Sequence, residues 1–208
     1  RQLARVEYFI KYYEDMNDIF RNKLKPFIEM IIGEKLNILK DKLNWKLAGG
    51  DGFKAHQDQP AWSDFPPDYY VSLAIFADDC TVENGCLEMV RGKHRDGILD
   101  NDYDKGGGIK GDIVDAMLWE PVLAKKADIV IFDSYVPHKS EKNTTNSSRR
   151  IFYFTFNKTI EGDYYEGYFI KKREEFPPDV EKINGKEYNN NSKYNLANPI
   201  SHDKSSNT

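Results

Sequence analysis

The segment RRIFYFTFNK, residues 149–158, constrains this chain more than any other. Its side chains divide by twos, Ile151, Tyr153 and Thr155 on one side and Phe152, Phe154 and Phe156 on the other. That is the period of a pleated strand, and the aromatic and β-branched content agrees with it. One strand is not stable alone and needs partners. YYVSLAIFAD (69–78), CLEMVRG (86–92) and ADIVIFD (127–133) offer them. Leu43, Trp45 and Leu47 alternate with polar residues and read as a further strand, ended by Gly49-Gly50-Asp51-Gly52. The expected fold is mainly β with flanking helices, a β-sandwich or jelly-roll barrel.

Ahead of the strands, residues 1–33 carry apolar positions at helical spacing: Leu3, Val6, Phe9, Ile10 and Tyr13, then Phe20, Leu24, Phe27, Ile28 and Ile31. One or two helices are expected, interrupted near Pro26 and closed by Gly33. The region from 189 to 208 is too poor in apolar residues to bury anything and reads as a disordered tail. Residues 1–188 then form one domain, with the jelly-roll core over about 40–158. Loop DNDYDKGGGIKGD (100–112) is polar and glycine-rich, the segment best suited to cover a site. A net charge of -4 with interspersed signs gives no case for a nucleic-acid partner. No apolar run approaches the roughly 18 residues a membrane helix needs. Two cysteines, Cys80 and Cys86, make no disulfide framework and point to the cytoplasm.

His56-Gln57-Asp58 follows the glycine turn. On a strand, His56 and Asp58 would share a face and offer one imidazole and one carboxylate to one ion. His138, just past ADIVIFD, is the best-placed third ligand; His94 lies in a turn and His202 in the tail. Two histidines and a carboxylate leave three octahedral positions open, which suits iron(II) oxygenases. A lone His-x-Asp also occurs in exposed turns, so the order of the surrounding features decides. A dicarboxylate co-substrate would need a fixed arginine. Arg149 and Arg150 open the long strand, and alternation lets only one of them point inward without saying which.

LNWKLAGGDGFKAHQD, NGCLEMVRGKH and DIVIFDSYVPHKSEKNTTNSSRR, in this order, resemble the phytanoyl-CoA dioxygenase family from about Leu43 to Lys158. The resemblance implies a double-stranded β-helix core of cupin type. It implies a non-haem oxygenase using Fe(II), O2 and 2-oxoglutarate, which hydroxylates a C–H bond and releases succinate and CO2; the polar loops and compact length favour a small polar metabolite over an acyl-CoA thioester as substrate. By matching position it makes His56, Asp58 and His138 the metal ligands. Arg149, eleven positions beyond His138, would hold the distal carboxylate of 2-oxoglutarate, with Ser140 as its hydroxyl partner. Asn44 would meet the co-substrate's other end, and Gln57 would touch ligand, although alternation turns its side chain from the metal face. Ala74 stands where some relatives carry tryptophan, so a relative's substrate does not transfer directly. Two other readings remain: a cupin-like metal enzyme that needs no Arg149, and a barrel that only binds.

Overall fold

A computed structural model describes residues 3–102, 108–178, 180–188 and 194. The centre of the expected covering loop (103–107) and all of the expected tail except Tyr194 lie outside the described residues. Strand β1 (Arg5–Glu7) opens the chain, followed by helices α1 (Glu14–Ile19) and α2 (Lys25–Ile32) with a π-helical turn over Phe20–Leu24 between them. Next come β2 (Leu36–Lys46), β3 (Phe53–His56), β4 (Val71–Phe76) and β5 (Leu87–Met89). Helix α3 (Gly111–Asp115) precedes β6 (Glu120–Val122), β7 (Ile129–Asp133), β8 (His138–Ser140) and β9 (Arg149–Lys158), and α4 (Tyr165–Glu175) follows.

The strands form two antiparallel sheets, ordered β1-β2-β9-β4-β7 and β3-β8-β5-β6. This is the jelly roll expected from the strand pattern. Strand β9 lies at the centre of the larger sheet, and both of its faces are covered. Phe154 and Phe156 pack outward with Phe20, Ile28 and Leu73 under the helical layer. Ile151 and Tyr153 pack inward with Phe76, Leu87 and Phe132 between the sheets. Burial on both faces explains why β9 and β4 are nearly continuous apolar runs.

Residues 3–10 are not helical, a correction to the reading from periodicity. Val6 pairs with Leu43 on the edge of β2, and Tyr8 has φ 62°. The Asp41 carboxylate accepts the Phe9 and Ile10 backbone N–H groups at 2.7 and 3.4 Å, replacing partners a helix would have supplied. The helical run that does form ends at Gly33, whose φ of 78° allows the left-handed cap. Pro26 sits in the first turn of α2, where its missing N–H costs nothing, and the break falls just before it in the π turn. Among the described residues no helix is long and apolar enough to cross a membrane.

Candidate active site

Antiparallel pairing of β3 with β8 sets His56 directly opposite His138, with ring centroids 4.1 Å apart. Each ring is oriented by the carbonyl two residues before it: Lys54 O lies 2.7 Å from His56 Nδ1, and Val136 O lies 3.0 Å from His138 Nδ1. Hydrogen bonding at Nδ1 leaves the Nε2 lone pair for a metal. Asp58 is not on the strand, contrary to the sequence expectation. Strand β3 stops at His56, and Asp58 opens the 3-10 turn Gln59–Trp62 with helical φ and ψ. The turn swings its carboxylate to 4.0 Å from His138 Nε2. Ligand atoms of His56, Asp58 and His138 all lie within 4.8 Å of one another. His138 also begins a strand of its own rather than extending β7.

The electrostatics put each group in its ligating form. Burial, and then His138, push the His56 pKa down to about 3, and burial lowers that of His138 as well. Burial works to raise Asp58, but Lys40, His138 and Lys42 outweigh it and hold the carboxylate ionised. Two neutral imidazoles and one carboxylate suit iron(II).

The three groups open on a cavity of about 200 Å³ that Asn44, Ser140 and Arg149 also line. Arg149 is 3% exposed and stands opposite Lys46 in the β2–β9 register. It donates to the Gly85 carbonyl, while its Nε has no partner among the described residues. Lys46 Nζ donates to Ser140 Oγ at 2.9 Å, to Gly85 O at 3.3 Å and to Glu141 O. Burial and the neighbouring Arg149 lower the Lys46 pKa to about 7. Two buried cationic side chains side by side, with the Arg149 Nε–H unpartnered among the described residues, fit a site made for an anionic co-substrate. Arg150 points the other way, with Nε and a terminal nitrogen on the two Asp78 oxygens at 2.8 Å each.

Gln57 does not reach the cavity. Its Nε2 donates to Gly97 O at 2.8 Å and Tyr135 O at 2.7 Å, and its Oε1 accepts from Leu99 N at 2.8 Å. With these groups engaged it braces the surrounding loops rather than facing the cavity. His94 lies on the turn Lys93–Asp96 and is not part of the His56, Asp58 and His138 cluster. Asp133 accepts the Tyr135 N–H at 2.8 Å and so caps its own turn. Sequence reading missed Lys46, Lys40 and Lys42. Their signal was KDKLNWK (40–46), with lysines and Asn44 at every second position of one strand.

Fold and cluster together define a class: the chain has the build of a non-haem iron(II)- and 2-oxoglutarate-dependent oxygenase on a jelly roll. It belongs to the phytanoyl-CoA dioxygenase (PhyH) family, whose model matches residues 10–151. Among curated proteins it is 38% identical over 202 residues to a 2-aminoethylphosphonate dioxygenase from uncultured bacterium HF130_AEPn_1, covering 96% of this chain and 76% of that one. It is 37% identical over 174 residues to a methylphosphonate hydroxylase from Gimesia maris, covering 83% of this chain and 65% of that one. Among solved structures, EctD from S. alaskensis with 2-oxoglutarate and 5-hydroxyectoine shares the fold at a TM-score of 0.62 and 18% identity, over 76% of this chain and 57% of that one.

Proposed function

We propose that the chain hydroxylates a C–H bond of a small organic phosphonate, with His56, Asp58 and His138 as the iron ligands and Arg149 as the anchor of 2-oxoglutarate. One observation carries the reading: the three ligand atoms converge within 4.8 Å on a cavity that also holds the buried Arg149 and Lys46. Iron(II), when bound, supplies the redox chemistry that couples oxidative decarboxylation of 2-oxoglutarate to hydroxylation. The protein's part is to bind, orient and exclude water.

His56 and His138 are fixed as Nε2 donors by their backbone partners, and Asp58 adds one negative charge to the metal. Arg149 offers charge-assisted hydrogen bonds to the distal carboxylate, and Lys46 adds a second positive charge beside it. The Ser140 hydroxyl accepts from Lys46 and, at 3.3 Å, from Phe53 N–H, which leaves its own hydrogen for the carboxylate. Trp62, Tyr153 and Tyr168 wall the cavity with aromatic surface. The names of the two phosphonate-oxidising relatives support the substrate class. A cavity of about 200 Å³ also suits a small ligand. The buried, unbridged Cys80 and Cys86 support a reducing, cytoplasmic setting.

A cupin-like enzyme without 2-oxoglutarate would have no anion for the buried Arg149, whose Nε is unpartnered among the described residues. The test is anaerobic reconstitution with Fe(II) and 2-oxoglutarate, then oxygen and methylphosphonate or 2-aminoethylphosphonate, following succinate release. Arg149→Ala should raise the KM for 2-oxoglutarate at least tenfold, about the worth of one charge-assisted hydrogen bond. Unchanged turnover in that variant removes 2-oxoglutarate from the reading.

A further inference from the structure

Strand β2 shows the cavity a row of polar residues. Beyond the bulge that follows Ile38, residues 40, 42, 44 and 46 alternate onto the inner face, opposite Thr155, Tyr153, Ile151 and Arg149 of β9. Lys46 and Asn44 serve the co-substrate end. At ~3.3 Å per residue, Lys40 sits ~20 Å along the strand from Lys46.

The other cavity cations near that end are already matched. Glu7 takes both Arg5, at 3.5 Å, and Lys172. Lys139, on the opposite wall, is held by Glu88 at 3.6 Å and Glu141 at 2.9 Å. Lys40 and Lys42 are different: among the described residues neither ammonium makes an ion pair or a hydrogen bond. Lys40 is 8% exposed and lies 4.3 Å over the Trp62 ring, while Lys42 lies 4.8 Å over Tyr153. Both line the same cavity wall as His56, Asp58 and His138, which places them on the metal side of the cavity. Burial is the leading influence on both ammoniums and lowers their pKa, and Asp58 and Glu7 oppose it only in part. Aromatic faces soften the loss of water but supply no hydrogen-bond acceptor of ordinary strength.

We propose that Lys40 and Lys42 together seat the doubly charged, tetrahedral head group of the substrate, at the far end of the β2 inner face from the Lys46–Arg149 pair. Two point charges side by side match a dianion with three acceptor oxygens better than a singly charged planar carboxylate. Held there, the carbon chain of the substrate extends towards His56, Asp58 and His138. The two anions of the reaction are kept apart by Asn44 and the metal site, so neither substrate competes for the other's cations. This rests on the phosphonate hydroxylase reading above and assigns the substrate-binding half of its cavity.

The experiment is calorimetric titration of the anaerobic Fe(II)- and 2-oxoglutarate-loaded protein with methylphosphonate and, separately, propionate. Wild type should bind methylphosphonate at least tenfold more tightly than propionate. Lys40→Met and Lys42→Met should each weaken methylphosphonate binding tenfold or more, with 2-oxoglutarate affinity kept within twofold; Lys42→Arg should restore most of the loss. Met variants that bind methylphosphonate as wild type does overturn the seat and leave the hydroxylase reading standing, as does an equal loss of 2-oxoglutarate. A wild-type protein that takes up 2-oxoglutarate but no methylphosphonate overturns the substrate class itself, and the seat with it.

Discussion

Arg149 and Arg150 are neighbours of the same type with opposite fates. Pleating sends Arg149 into the cavity and Arg150 to the rim, where it is 42% exposed, bound to Asp78 and 5.4 Å over the Trp45 ring. Arg150→Ala should therefore leave the KM for 2-oxoglutarate within twofold of wild type. It should cost no more than about 1 kcal/mol in a denaturant titration, since the ion pair is solvent-screened. The proposed metal ligands behave differently. Asp58→Ala leaves two neutral imidazoles, and elemental analysis after desalting should find little iron on that variant while far-UV circular dichroism is unchanged. Retained iron at wild-type stoichiometry would exclude Asp58 as a ligand. At this scale the sequence was informative about residue type and spacing, but silent about direction. His-x-Asp was visible, yet the 3-10 turn that carries Asp58 was not, because three residues cannot show where a strand ends.

Elements were legible in proportion to how much of their burial is local. Strand β9 was read with its observed limits because both faces are covered along its length. Strands β1, β6 and β8 are three residues each and are defined by their partners rather than by their own pattern. Strand β2 begins earlier than the alternation of Leu43, Trp45 and Leu47 suggested, since its bulge after Ile38 breaks the period. Helix α4 hides its helical face behind charged residues, with Tyr168 and Phe169 buried. Two glycines test these elements. A Cβ at Gly52 would run into the Ser140 carbonyl. Gly52→Ala should thus push β8 from β3, weaken iron binding and destabilise the fold by about 1–3 kcal/mol. Gly167, on the exposed side of α4, meets nothing within 4 Å, so Gly167→Ala should stabilise by about 0.5–1 kcal/mol.

Across the molecule, one ion pair ties the first strand to the last helix: Glu7 of β1 with Lys172 of α4. Burial works to raise the Glu7 pKa, but Lys172 and Arg5 outweigh it and bring the pKa down to about 2 from the ordinary 4.5. The unfolded chain therefore binds more protons between those values, and stability rises with pH across that window. Glu7 contributes in full above about pH 4.5 and loses its contribution as pH falls to 2. Melting temperature should fall between pH 4.5 and 2 more steeply for wild type than for Glu7→Gln; parallel curves would remove Glu7 from the acid response. The described C-terminal contact adds to this closure, since Tyr194 is 7% exposed, lines the cavity and packs on Tyr168 at 5.7 Å, against the reading of that region as having nothing to bury.

Strand β2 turns Leu36, Ile38 and Leu43 towards the helical layer and Lys40, Lys42 and Asn44 towards the cavity. The side chains proposed to meet the anions and those that hold the core are thus written on opposite faces of a single ribbon, in interleaved letters. A substitution confined to one set therefore alters what the cavity offers a ligand while the packing of the other set stays as it is.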